Sequence, residues 1–292
     1  MIVGCGYVGV RLAQQFGRRG QRVLGTTRGR HNELKRLGIE PVTFDWNDAR
    51  TFVNLPCTDQ VVIAVAHDRR SRVDRYASQV DGLRRLIRYL DARAETKGDD
   101  PADIAYVSTT GVYHQTGDVW VDETSPTRPH REGAKAHLMA EAVLQSARGK
   151  AGWFVVRLAG IYGPGRVPRI QDVMRGSPIA SPAAGYLNLI HVEDAAAAIL
   201  AGLDRPRGRE KLYVVADDQP VVRRKFYEEI ARQTASPAPT FAAMDGQRGA
   251  AMRSLSSKRV WNRRMKRDLL PRLAFPTFRE GLADVIASDA GA

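Results

Sequence analysis

Three residues, Met1 to Val3, run straight into Gly4-Cys5-Gly6-Tyr7-Val8-Gly9, and that glycine spacing constrains the chain more than any other feature. A G-x-G-x-x-G run is weak alone. Here it follows an apolar strand and opens a helix, Val10 to Arg19, with Leu12, Ala13 and Phe16 on one face. A second strand, Arg22 to Thr26, comes next. In that setting Gly4 is expected to make the tight turn, Gly6 to let a pyrophosphate approach the backbone, and Gly9 to bring helix and strand close. Free N–H groups at the helix start, around Tyr7 and Val8, would complete a dinucleotide cradle. The plainer reading is a tight βα turn. Only three residues precede Gly4, where strands usually have ~5–6. The native chain is therefore expected to start upstream of Met1, and an N-terminally extended chain should then be the more stable one.

The pattern continues as alternating elements. Asn32 to Leu37 reads as a helix, Pro41 to Phe44 as a strand, and Val61 to Ala66 as a strand buried on both faces. Val73 to Ala94 is a long amphipathic helix, Ile104 to Ser108 a strand, Gly133 to Ala147 a helix and Trp153 to Leu158 a strand. This predicts an α/β fold, a Rossmann doubly wound parallel sheet with a small C-terminal substrate lobe. The dinucleotide domain is expected over 1–163, with 188–217 returning to it through a helix (Val192 to Leu203) and a strand (Lys211 to Val215). The lobe is expected over 164–292, with helices at Arg223 to Thr234 and Ser256 to Leu270.

The second strand ends in Thr26-Thr27-Arg28, with no acidic residue to hold a ribose 2′-hydroxyl. Thr27 and Arg28 suit a 2′-phosphate instead, so NADP(H) is preferred, with NAD(H) as the alternative. Arg28 also fits a solvated surface charge. Asp45 suits either an adenine contact or a turn cap. Ala64 and Ala66, at the end of the fourth strand, are placed at the cofactor.

Further runs carry a family resemblance: Val107-Ser108-Thr109-Thr110-Gly111-Val112-Tyr113, Arg157 to Gly165 and Asn188 to Ala195. With the glycine loop they resemble the extended short-chain dehydrogenase/reductase superfamily, in its NAD(P)-dependent epimerase/dehydratase group. Lys258-Arg259-Val260 with Asn262, then Phe275 to Gly281, look like an atypical branch that often lacks the catalytic tyrosine. The resemblance implies a Tyr-x-x-x-Lys pair on the helix after the Ser/Thr strand, the tyrosine as acid/base and the lysine lowering its pKa. Aligned on Glu141-Ala142-Val143-Leu144, those positions fall on Gly133 and His137. Arg131 and Lys135 share the spacing but lie two residues earlier, which turns a helix by ~200°. They are expected to point away from the cofactor.

His137 is the candidate for proton transfer, its ordinary pKa of ~6.5 suiting neutral pH; packing is the bland alternative. Thr109 aligns with the family's substrate-contacting Ser/Thr and equally suits a strand-end hydroxyl. The acidic residues of a dehydratase would follow Thr109, where Thr110 and Gly111 stand, which argues against sugar-nucleotide dehydration. Tyr113 is expected to be structural, and His191 to cap the following helix. The expected activity is an NADP(H)-dependent oxidoreductase or epimerase-like reaction on a carbonyl, hydroxyl or sugar-nucleotide substrate. A non-catalytic NAD(P)H sensor is the alternative.

The net charge of +13 is spread along the chain. Its densest cluster, Lys258 to Arg272, reads as a basic amphipathic helix, which makes solvated surface a better reading than a nucleic-acid partner. No run approaches the ~20 apolar residues of a membrane span. Two cysteines, Cys5 and Cys57, and no secretory signal fit a reducing cytoplasm. The six histidines show no metal spacing, and neither a G-x-S-x-G elbow nor a phosphate loop is present. By analogy with the family, the helices Val73 to Ala94 and Gly133 to Ala147 would pair in a homodimer.

Overall fold

The short β-branched runs become strands of one sheet. The computed structural model describes residues 1–68, 71–148, 152–205, 211–242 and 257–290. Its sheet strands are β1 (Ile2–Val3), β2 (Leu24–Thr27), β3 (Glu40–Thr43), β4 (Gln60–Ile63), β5 (Asp103–Thr109), β6 (Trp153–Leu158) and β7 (Leu212–Val215). Their order is β7-β6-β5-β4-β1-β2-β3. The pairings β1–β2, β1–β4, β2–β3 and β4–β5 are parallel. Between strands run α1 (Tyr7–Arg18), α2 (His31–Arg36), α3 (Gly82–Lys97), α4 (Glu132–Arg148) and α5 (Val192–Leu203). This is the Rossmann arrangement. Strand order reverses between β1 and β4, and ligands of such sheets bind at the carboxyl ends beside that point. Leu12, Ala13 and Phe16 are buried on α1, the face their spacing predicts.

The helix expected over Val73 to Ala94 is interrupted. A π-helical turn, Ala77–Asp81, precedes α3. The cause is Trp46. A Cβ on Gly82 would lie 2.9 Å from the indole Cδ2, so glycine allows this close approach. Trp46 Nε1 also donates to Ser78 Oγ at 3.3 Å. The wide turn keeps Ser78, Gln79 and Val80 buried in succession, which a 3.6-residue period would not.

The chain divides into two compact units. The first comprises Met1–Val112, Pro129–Arg157 and Ala196–Tyr213. Its core gathers Phe44, Trp46, Phe52, Ile63, Leu86, Ile104 and Tyr106. The second comprises Tyr113–Arg128, Leu158–Ala195 and Val214–Ala292. Its core holds Tyr162, Ile179, Phe226, Phe278 and Leu282. Residues 113–128 cluster with this second unit because Val119–Val121 pairs in parallel with Lys258–Val260.

That pairing corrects two expectations. The basic amphipathic helix over Lys258 to Arg272 and the helix from Ser256 to Leu270 do not form as expected. Lys258–Val260 is a strand, and a helix covers only Arg263–Asp268; Ser256 lies outside the described residues. Lys258 and Val260 are buried on alternate positions, and Lys258 Nζ donates to Tyr113 O at 3.0 Å. A charge run had concealed a period of two. Among the described residues, no helix is long and apolar enough to cross a membrane.

Candidate functional site

The three loop glycines meet three different environments. Gly4 has φ +84°, and a Cβ there would lie 2.8 Å from backbone N and Cα of Val65, so turn and contact both demand glycine. At Gly9 a Cβ would lie 3.0 Å from Gly4 O and 3.0 Å from Ile2 Cγ2, so α1 rests directly on β1. At Gly6 the nearest atom would be Gly4 O at 4.0 Å. The backbone there faces open space, just ahead of the first residues of α1, Tyr7 and Val8. Ala64 and Ala66 lie past the end of β4, beside the strand-order reversal, and Ala64 N donates to Val3 O at 2.8 Å. Thr26 is a residue sequence reasoning missed: its Oγ1 accepts the Gly4 N–H at 2.9 Å and so holds the loop. A hydroxyl beside the turn was the available signal.

At the end of β2, Thr27 Oγ1 accepts N–H bonds from Gly29 at 3.2 Å and Arg30 at 2.8 Å, which shapes the turn. Arg28 donates through Nη2 to Asp68 at 2.8 Å and lies 3.9 Å from Asp45. Its side chain is 58% exposed. Asp45 Oδ1 accepts from Asn47 N at 2.9 Å, so Asp45 caps its own turn while facing Arg28. Asp68 is a second residue missed by the sequence reading.

Thr109 ends β5, and its Oγ1 accepts the Gly111 N–H at 3.0 Å. His137 sits on α4 with Nδ1 2.8 Å from the Tyr106 hydroxyl and Nε2 3.5 Å from Gln79 Nε2. Gln79 Oε1 in turn accepts from Arg75 Nη1 at 3.4 Å. One donor direction satisfies the chain: Arg75 to Gln79, Gln79 to His137, His137 Nδ1–H to Tyr106. A proton on His137 Nε2 would oppose the Gln79 amide. Burial, then the Arg75 charge, lowers the His137 pKa from 6.5 to about 4. Burial, then Glu141, raises the Tyr106 hydroxyl above its ordinary value. Both groups are neutral at neutral pH.

Two arginines complete this region. A Cβ on Gly111 would lie 2.8 Å from Arg131 Nη2 and 3.2 Å from Thr109 Oγ1. A Cβ on Gly133 would lie 3.4 Å from Arg75 Nη1. Arg131 precedes Glu132, the first residue of α4, so helical rotation does not govern where it points. Lys135 instead pairs with Glu132 at 2.7 Å on the exposed side. One turn further along α4, Glu141 meets Arg157 and Ser108 in a buried cluster.

In the second unit His191 is fully buried, and its Nδ1 accepts the Glu193 N–H at 3.4 Å. Tyr113 is buried as well. Asn188 ties down the strand Lys258–Val260, donating to Lys258 O at 3.0 Å and accepting from Val260 N at 2.9 Å.

Residues 1–216 match the family described as the NAD dependent epimerase/dehydratase family. Protein YeeZ of Escherichia coli (strain K12) is 27% identical over 256 residues, covering 85% of this chain and 88% of YeeZ. A functionally unknown conserved protein from Silicibacter pomeroyi DSS is 29% identical, with a TM-score of 0.79 over 99% of this chain and 98% of that one. A UDP-glucose 4-epimerase from Thermus thermophilus, in complex with NAD, shares the fold at 17% identity, with a TM-score of 0.78 over 100% and 99% of the two chains.

Proposed function

The chain belongs to the NAD dependent epimerase/dehydratase family, and from that premise we propose that it is an NADP(H)-dependent oxidoreductase or epimerase-like enzyme working on a small molecule without the family's tyrosine. The glycine loop carries this reading. It is closed by its neighbours at Gly4 and Gly9 and open at Gly6, as a pyrophosphate cradle has to be. When bound, a nicotinamide supplies hydride transfer. The chain's part is to bind and orient. N–H groups at the start of α1 would face the pyrophosphate. Arg28, drawn from Asp68, would pair with a 2′-phosphate. Thr109 uses one lone pair on Gly111 N–H and keeps its own O–H to donate to a substrate oxygen.

His137 is neutral and engaged on both ring nitrogens, so the proton would come from water or from the substrate itself. Losing a positioned acid typically slows such a reaction ~10²–10⁴-fold. A non-catalytic NAD(P)H sensor is the second reading, and glycine in place of the tyrosine favours it.

Calorimetric titration with NADPH and NADH, on the wild type and Arg28→Asp, tests the cofactor. NADPH should bind the more tightly, and the substitution should erase the difference. Equal affinities in the wild type would remove the NADP preference. Stoichiometric NADPH binding with no hydride transfer to any of a broad carbonyl and sugar-nucleotide panel would favour the sensor.

A further inference from the structure

We propose that Arg75 and Arg131 form an anion-recognising pair beside Thr109, so that the substrate carries a carboxylate or phosphate next to the carbon whose oxygen Thr109 engages. The proposal rests on the Thr109 and cofactor reading above and names its substrate class. Two positions without side chains, Gly111 and Gly133, each have a guanidinium against them. Arg131 Nη2 and the Thr109 hydroxyl lie within 2.8 and 3.2 Å of the same point, where a Cβ on Gly111 would stand. A cation and a hydroxyl donor therefore share one small region. Any side chain at 111 would come between them.

Arg75 supplies the second charge. It comes from the segment just ahead of the π-turn and reaches the start of α4, with its Nη1 and Cζ 3.4 and 3.7 Å from where a Gly133 Cβ would be. It donates to a neutral amide oxygen, Gln79 Oε1, at 3.4 Å, and its charge also acts on Glu132 and His137. The nearby Glu132 carboxylate is held by Lys135 at 2.7 Å and by the Tyr76 hydroxyl. Arginine forks match carboxylate and phosphate geometry. Such a pair suits a 2-oxo or 2-hydroxy acid, or its phosphate counterpart, better than a neutral sugar carbon. It also supplies positive charge where oxygen gains negative charge during reduction.

The test is calorimetric titration of the full chain with oxamate and, separately, inorganic phosphate at constant ionic strength, with and without NADPH. Wild type is compared with Arg75→Gln, Arg131→Gln, Arg75→Lys and the distant control Arg84→Gln. Each glutamine variant should weaken one or both anions by roughly tenfold or more. Arg75→Lys should weaken it less, and Arg84→Gln not at all. NADPH affinity should stay within about twofold of the wild type in every variant. Circular dichroism and melting confirm the fold, and Arg75→Lys keeps the test open if a glutamine variant unfolds. Oxamate against phosphate separates the two anion types. Equal anion binding by wild type and both glutamine variants, or no anion binding by the wild type, overturns the proposal. Failure of NADPH binding with an intact arginine-dependent anion response would sink the cofactor reading while the anion pair stands.

Discussion

The Tyr106 hydroxyl lies 2.8 Å from Nδ1 of His137, joining β5 to α4. Its first consequence is a pH dependence of stability. His137 titrates near 6.5 when unfolded and at about 4 when folded. Between these values the unfolded chain binds more protons, so stability is full above pH 6.5 and falls as the pH drops toward 4. The shift is worth roughly 3 kcal/mol at most. The melting temperature of the wild type should fall several degrees further over that window than that of His137→Gln. Parallel pH profiles for the two proteins would show that His137 is not the titrating group.

The second prediction concerns the buried cluster on the same helix. Arg157 donates to Glu141 through Nη2 at 2.6 Å and Nε at 3.1 Å, and Ser108 Oγ donates to Glu141 at 2.5 Å. The charged side chains are only 6% and 10% exposed. Glu141→Ala removes the carboxylate facing a buried guanidinium and should cost about 3–5 kcal/mol in urea unfolding. Replacing both residues by apolar ones should recover much of that. A loss below about 1 kcal/mol for the single variant would mean that water reaches the pair.

The loop glycines should separate stability from binding. Gly4→Ala places a Cβ at left-handed φ and against the Val65 backbone, and should cost about 2 kcal/mol or more. Gly6→Ala meets nothing closer than 4.0 Å. It should unfold within about 0.5 kcal/mol of the wild type and still bind NADPH at least roughly tenfold more weakly, because the methyl stands where the pyrophosphate approaches. A Gly6→Ala protein that binds normally would dissociate the loop from the cofactor.

The two thiols should react very differently. Burial raises Cys5 to about 11, while Cys57 is exposed. At pH 8 a disulfide reagent should modify Cys57 within minutes and reach Cys5 only on unfolding. Fast modification of both thiols in the native protein would show that the glycine loop opens readily.

Local steric demands were the readable part of this chain. Gly4 and Gly9 announce themselves because a tight turn and a close crossing admit little else, and the sheet follows from apolar runs spaced by helices. The second unit was harder. Lys258–Val260 pairs with a strand far back in the sequence, and its basic residues masked the alternation. Arg75 could not be foreseen either. It lies beside a π-turn that packs against Trp46, a non-local packing arrangement that helical periodicity does not encode. Asp45 was read as an adenine contact or a turn cap, and its Oδ1 caps a turn; that Thr27 Oγ1 shapes the following turn was not read from the sequence.

Gly133 and Arg75 tie two positions into one evolutionary choice. A side chain acquired at 133 begins at van der Waals distance from the Arg75 guanidinium, so a tyrosine arising there meets a neighbour already in place. An arginine lost from 75 leaves beside it a residue with nothing to extend into the gap. Change at either position is therefore felt at the other, and the two are expected to vary together.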